Sequence, residues 1–465
     1  MIKIFLFLFL PLTLLSQKDT SKLFDTYMGA QVEVNHFNGN VLVAKSGNIL
    51  YQKAFGYSNY NTKALLDNNS VFELASVSKQ FTAMGILMLI EKGKLSFTDT
   101  LRKFFPELPY SNVTIQNLLT HTSGLPDYED AMDKKWDHKN IAFNNDMIQF
   151  LAKEKVPENF KPGAKWEYSN TAYAVLASII EKVSGLSYND YMYKNIFKPL
   201  EMSHSRVYNT RRSKKDTVAD YAFGFVYSDT LKSFIIPDSL LSYEYVIYLD
   251  GIKGDGGINS TTGDLLKWDR ALKNHRLLSE TTQKKMFSPQ SLKDTINNIS
   301  YGYGVAVGRN QFGDFITHTG EWAGYHTIIT RILSNDATII ILSNNESNSD
   351  VIAQGITTIL FGAKVVPPYI HKEVTIDTSI LNRYTGEYKV STNQTIDIST
   401  KGGKLYRSRK GTPDIELKPE SNTKLFYGDG SDRQLEFETD EFGNVTKAWF
   451  ISVWLKTEIY KFQDR

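Results

Sequence analysis

Glu73-Leu-Ala-Ser-Val-Ser-Lys-Gln-Phe-Thr-Ala-Met-Gly-Ile-Leu-Met-Leu-Ile-Glu-Lys-Gly93 decides how the rest of the chain is read. From Ala83 to Ile90 every residue is apolar except Gly85, and a helix that is apolar on nearly every side belongs inside a protein. Gly93 supplies a left-handed stop. Ser76 and Lys79 stand three apart at the head of this helix, so one face carries both. In a first turn, unpaired backbone N–H groups and the positive dipole end favour a developing oxyanion and disfavour a second cation. The expectation is a nucleophilic serine on a buried helix, with a lysine of lowered pKa taking its proton.

Ser-x-x-Lys alone is a weak pattern. A second copy, Ser421 to Lys424, is flanked by Leu425-Phe-Tyr427 and Gly428-Asp-Gly430, which read as strand and turn. A solvated surface pair would not open the most apolar helix of the chain, and this sets Ser76 apart.

The chain has 465 residues, enough for two or three domains with ample core. Its 53 basic and 51 acidic side chains nearly balance, which gives no reason to expect a nucleic-acid partner. Met1-Ile-Lys3, an apolar run from Ile4 to Leu15 and the polar Ser16-Gln-Lys-Asp19 have the three regions of a secretory signal peptide, taken as residues 1–16. The run is too short for a stable membrane anchor. With no cysteine, the chain has neither a lipid-attachment cysteine nor disulfides, and a periplasmic or secreted protein is expected. The histidines show no metal-binding spacing, so neither metal nor other cofactor is expected.

A helix is expected over Ser21 to Val34. Strand-like runs follow at Gly39 to Lys45 and Ile49 to Phe55, joined by a hairpin loop at Ser46-Gly47-Asn48. Thr114 to Thr120 reads as helix and leads into the turn-rich His121-Thr-Ser-Gly-Leu-Pro126, where His121 is read as structural. Residues 127–160 read as helices and loops covering one side of a cleft. Tyr168-Ser-Asn170 sits between a Pro162-Gly163 turn and a helix over Thr171 to Val183. Gly254-Asp-Gly-Gly257 is read as a tight turn capped by Asp264, ahead of a helix over Leu265 to Leu272. Strands are expected at Gly302 to Val307, Asp314 to Thr317, Tyr325 to Leu333 and Ala337 to Ser343, then a helix over Asp350 to Phe361. Strands at both ends of residues 20–362 must share one largely antiparallel sheet flanked by helices, with a helical lobe in the middle, an α+β arrangement. Residues 363–372, with Val365-Val-Pro-Pro-Tyr-Ile370, read as a linker, and 373–465 as a small all-β sandwich or barrel.

Ser76-Val-Ser-Lys79, Tyr168-Ser-Asn170 and His318-Thr-Gly320, in that order, resemble the three motifs of the serine β-lactamase and penicillin-binding superfamily. The likeness is to its class C-like branch of esterases, D-aminopeptidases and DD-carboxypeptidase-like hydrolases. Leu118-Leu-Thr-His-Thr-Ser-Gly-Leu-Pro126 and Gly320-Glu-Trp-Ala-Gly-Tyr325 look like that branch too, and the tail is similar to its lipocalin-like β domain. The resemblance implies a β-lactamase/transpeptidase-like fold in which Ser76 forms an acyl-enzyme while Lys79 and Tyr168 share the proton transfers. It further implies an oxyanion hole from the N–H groups of Ser76 and Glu321, and substrate binding by Asn170 and the His318-Thr319-Gly320 strand. His318 replaces the lysine found at this position in most β-lactamases. An imidazole near its ordinary pKa, mostly neutral at pH 7, favours a D-amino-acid peptide or ester over a carboxylate-bearing β-lactam. The expected partner is therefore a small-molecule or short-peptide substrate. The alternatives are a true β-lactamase or DD-carboxypeptidase and, from another class, a non-catalytic binding or sensor module on the same fold.

Overall fold

The computed structural model describes residues 13–462 except 209–217, 296–297, 392–393, 410–411 and 453–454. The expected signal peptide falls outside the described residues up to position 12, and from Thr13 the chain is already in the first helix, Thr13–Asn35. The described residues form two compact units: Phe37–Ala353, and a second made of those up to His36 together with those from Gln354 onward.

The first unit is built on an eight-stranded antiparallel sheet. Its strands run in the spatial order Ser291–Asp294, Ile299–Tyr301, Ala306–Asn310, Gly313–Trp322, Tyr325–Ile332, Ala337–Ser343, Gly39–Lys45 and Asn48–Phe55. Strands from both ends of the unit therefore meet, with Val41 opposite Ile341 on one side and Lys53 on the other. All seven residues of Ala337–Ser343 are buried, as befits a β-branched run covered on both faces. Ser46 (φ 51°) and Gly47 (φ 80°) form the hairpin turn, both left-handed as a two-residue loop between twisted strands requires.

Of the expected strand over Gly302 to Val307 only Ala306 and Val307 are strand, as the start of Ala306–Asn310; residues 302–305 turn between it and Ile299–Tyr301. Tyr303 leaves the sheet to bury its ring beside Phe97, 5.4 Å away, and to donate its hydroxyl to Gln116 at 2.8 Å. Gly304, at φ 72°, passes so close to the nucleophile helix that a Cβ would lie 2.6 Å from the Lys79 carbonyl.

Against one face of the sheet pack the helices Lys79–Glu91, Asn170–Ser184 and Thr262–Lys273, in a core that joins Leu42, Ile329 and Ile340 to Phe81, Ile180 and Trp268. The nucleophile helix is buried at every position from Lys79 to Leu89. Gly85, the break in its apolar run, has a packing reason: a Cβ there would meet Ile180 at 2.9 Å. The short helices Ile115–Leu119 and Tyr128–Lys135, with Asn144–Glu154, complete the helical lobe.

In the second unit, residues 386–461 close into an eight-stranded barrel whose interior holds Tyr388, Ile398, Leu405, Leu425, Leu435 and Phe437. A helix the sequence did not announce, Thr378–Arg383, precedes it, capped by Asp377. The second Ser-x-x-Lys lies in its hairpin, where Lys424 donates to Tyr369 at 2.6 Å.

Candidate active site

Ser76 does not sit in the first turn of the α-helix as expected. It belongs to a 3₁₀ turn, Ala75–Ser78, that feeds directly into Lys79–Glu91. In 3₁₀ geometry residues three apart eclipse one another, which superimposes Ser76 and Lys79 more closely than an α-turn would. Lys79 Nζ lies 3.0 Å from Ser76 Oγ. Ala75, at φ 47°, takes a left-handed conformation that a residue with a Cβ adopts only at a cost. The surroundings hold it: Leu74 N–H donates to the Ile258 carbonyl at 2.8 Å, and Thr327 Oγ1 donates to the Leu74 carbonyl at 2.8 Å.

Lys79 is fully buried, and its ammonium has two further acceptors, Asn170 Oδ1 at 2.8 Å and the Asp255 carbonyl at 2.9 Å. The Gly254–Gly257 loop is thus part of the site and not merely a turn. It is brought there by Ile258–Ser260, which pairs with Phe72–Glu73 just ahead of the nucleophile. Asp264 does not cap the following helix either. Thr261 does so, while Asp264 accepts from the His204 backbone at 2.8 Å and Ser205 Oγ at 2.9 Å.

Tyr168 places its ring 4.8 Å from Lys79 Nζ and is 37 % exposed. His121 lies against it with ring centroids 4.4 Å apart and is itself wholly buried, accepting the Ser169 backbone N–H through Nδ1 at 3.0 Å. It is structural, as expected, and burial with Lys79 nearby holds its pKa well below the ordinary value.

The strand Gly313–Trp322 runs beside the nucleophile turn. Its pairing with Ala306–Asn310 ends at Thr317, so His318 onward is edge on that side. Gly320 permits the approach, since a Cβ would lie 2.2 Å from the Leu74 carbonyl. Thr319 and Glu321 are exposed. His318 is not the cleft imidazole that the sequence suggests. It is buried, with Nε2 2.9 Å from Tyr301 Oη and Nδ1 2.6 Å from the Thr319 carbonyl. Burial, and then the charge of Lys79, push its pKa down to about 3.

Ser76, Tyr168, Asn170 and Glu321 line one cleft of about 840 Å³, together with Glu129 and Trp322. Glu129 is a site residue that sequence reading missed. Asn170 Nδ2 donates to its carboxyl at 2.9 Å, so the Asn170 amide bridges Lys79 and Glu129. Burial, followed by the negative charges of Asp127 and Asp255, raises the Glu129 pKa to about 8. In sequence it looks like any acid in the first turn of a helix, the helix that Asp127 caps.

The sequence model described as Beta-lactamase matches residues 22–361, and one described as a domain of unknown function (DUF3471) matches residues 371–463. The chain is 41 % identical over 401 residues to penicillin-binding protein 4* of Bacillus subtilis, covering 85 % of this chain and 88 % of that one. A solved structure described as the octameric penicillin-binding protein homologue from Pyrococcus abyssi aligns with TM-score 0.66 and 25 % identity, over 94 % of this chain and 99 % of that one. The D-amino acid amidase of Ochrobactrum anthropi shares the fold, with TM-score 0.57 and 23 % identity over 71 % of this chain and 92 % of its own. No helix among the described residues is long and apolar enough to cross a membrane. The chain belongs to the Beta-lactamase family and is a serine hydrolase of the penicillin-binding and β-lactamase kind.

Proposed function

We propose that the protein is an exported hydrolase that cleaves a small amide or ester, of the D-amino-acid peptide or ester type, through an acyl-enzyme on Ser76. The observation that carries this reading is the bonding of Lys79 Nζ to Ser76 Oγ, Asn170 Oδ1 and the Asp255 carbonyl. The contacts to Asn170 and Asp255 fix the Lys79 nitrogen so that its remaining direction points at the Ser76 hydroxyl, the proton of which it is placed to take. Ser76 Oγ attacks the substrate carbonyl as its proton passes to the Lys79 and Tyr168 pair, which returns it to the leaving amine or alcohol. Water repeats the sequence on the acyl-enzyme and regenerates the serine. The backbone N–H groups of Ser76 and Glu321 receive the oxyanion. Export rests on the signal-peptide pattern of residues 1–16.

The neutral, buried His318 supports a substrate without a carboxylate at this end of the cleft. The likeness to penicillin-binding protein 4* supports the alternative of a β-lactam-reactive or DD-carboxypeptidase activity. One panel of ester, D-aminoacyl and β-lactam reporters separates the two. A fluorophosphonate is expected to label Ser76, and Ser76→Ala is expected to lower turnover by ~10⁴-fold or more, because members of a catalytic unit fail together. Near-normal activity in that variant, or peptide mapping of the label to Ser421, would refute the acyl-enzyme reading.

A further inference from the structure

The barrel of residues 386–461 carries a cation on its inner face. Along the strand Lys404–Arg409, Leu405 and Arg407 are buried while Lys404, Tyr406 and Ser408 are not, the alternation of a strand with one face inward. The register sets Ile398 and Ile415 beside Arg407 on the neighbouring strands, and both belong to the packing of the barrel interior. Arg407 is only 5 % exposed. Among the described residues no carboxylate pairs with it, its buried Nε has no hydrogen-bond partner, and one terminal nitrogen reaches Thr412 Oγ1 at 3.4 Å. A guanidinium buried without an anion is strongly unfavourable, so this arrangement calls for one. Tyr427 lies close by. Burial raises its pKa, and the charges of Arg407 and Arg433 oppose that rise. Arg433 stands 4.5 Å from the Tyr427 ring and is already paired with Asp429, which leaves one positive charge over.

Alternate strands of this antiparallel barrel run the same way, so the C-terminal ends of Gly386–Ser391, Lys404–Arg409, Lys424–Tyr427 and Val445–Ser452 share one rim. Val390, Arg407, Tyr427 and Phe450 each stand within two residues of those ends. Val390, Ile415 and Phe450 pack on the interior but are only partly buried, and the Phe450 ring lies 6.2 Å from that of Tyr427. From this arrangement we propose that this end of the barrel binds an amphiphilic monocarboxylate, with its carboxylate on Arg407 and its apolar chain against Val390, Ile415 and Phe450. A guanidinium offers Nε and a terminal nitrogen as a fork that fits a carboxylate. A single unpaired cation in apolar surroundings suits a singly charged, weakly hydrated anion better than a phosphate. The barrel would then be a binding module, and the inference is independent of the acyl-enzyme reading.

The test titrates the full chain calorimetrically at pH 7.5 with sodium octanoate, octanol and inorganic phosphate. Octanoate is expected to bind at least about tenfold more tightly than either of the others, since only it brings both the charge and the chain. Arg407→Met removes the charge at similar volume and is expected to erase that preference. A second pair of variants covers the case in which the methionine variant does not fold. Ile415→Asp places a carboxylate opposite Arg407 and is expected to weaken octanoate binding by about tenfold or more relative to Ile415→Asn, which has the same size without the charge. Octanoate binding no tighter than octanol or phosphate overturns the inference. So does a preference for octanoate that survives in a folded Arg407→Met protein, or equal affinities in the two Ile415 variants.

Discussion

The imidazole of His318 donates from Nδ1 to the Thr319 carbonyl and accepts the Tyr301 hydroxyl at Nε2, so both ring nitrogens are committed inside the protein. Its pKa, lowered from 6.5 to about 3, leaves it neutral across the working range. The sign of the linkage follows. The unfolded chain binds this proton more readily than the folded one, so the stability His318 contributes is present above pH 6.5 and is lost as pH falls through that value toward 3. The melting temperature is therefore expected to drop between pH 6.5 and 4, with a shallower drop in His318→Gln. In the wild type, KM for a carboxylate-bearing substrate should gain nothing toward acid from this residue. Identical slopes in the two proteins, or a gain in carboxylate affinity near pH 6 that the variant abolishes, would contradict the buried, neutral histidine. The motif marked the position of His318, but a neutral state enforced by burial depends on Tyr301 and Lys79, which no local pattern connects to it.

At the scale of the elements, the helix Thr262–Lys273 is locked to the sheet by a buried charge network. Asp269 is fully buried and receives Arg331 Nε at 2.5 Å and Arg270 Nε at 2.7 Å, while Arg270 also forks onto both oxygens of Asp336 at 2.9 and 2.8 Å. This fastens the helix to the strand Tyr325–Ile332 and the turn that follows it. Removing one member of a buried pair strands the other charge, so Asp269→Ala is expected to cost about 3–5 kcal/mol, read as a lower urea midpoint with little change in m-value. A loss below about 1 kcal/mol would mean that Arg331 finds water or another partner easily. The helix itself was legible from its amphipathic spacing. Its ion pairs were not, because Asp269 and Arg331 stand far apart in the chain.

For the whole molecule, the barrel of residues 386–461 has its own closed set of strands and its own core. Residues 363–372 are fastened to it, since Tyr369 Oη donates to Glu420 at 2.7 Å and lies 3.0 Å from the Gln434 side-chain oxygen. The first helix goes with this part of the chain by contact, and a Cβ at Gly355 would meet its Tyr27 hydroxyl at 2.1 Å. A truncation after residue 365 keeps the first helix and the helix Ser349–Leu360 that carries Gly355, and discards the barrel. Such a protein is expected to remain folded and to be labelled at Ser76, because the sheet and the nucleophile helix draw their core from residues before that point. Loss of far-ultraviolet circular dichroism, or of Ser76 labelling, in the truncated protein would show that the hydrolase unit needs the barrel to fold.

By itself the sequence determined the elements whose causes are local. The strand Ala337–Ser343 and the hairpin at Ser46-Gly47 follow from side-chain branching and turn chemistry, and the apolar run after Lys79 required a buried helix wherever it was placed. It also determined the order of the three motifs, which carried the family. The tertiary structure alone decided what those motifs do to one another. Leu74, ahead of the 3₁₀ turn under Ser76, is held by Ile258 and Thr327, the acceptors of Lys79 come from two distant segments, and Glu129 is joined to them through the Asn170 amide. Hydrogen bonds and Coulomb interactions act through space over a few ångströms, and along the chain these partners lie tens to hundreds of residues apart.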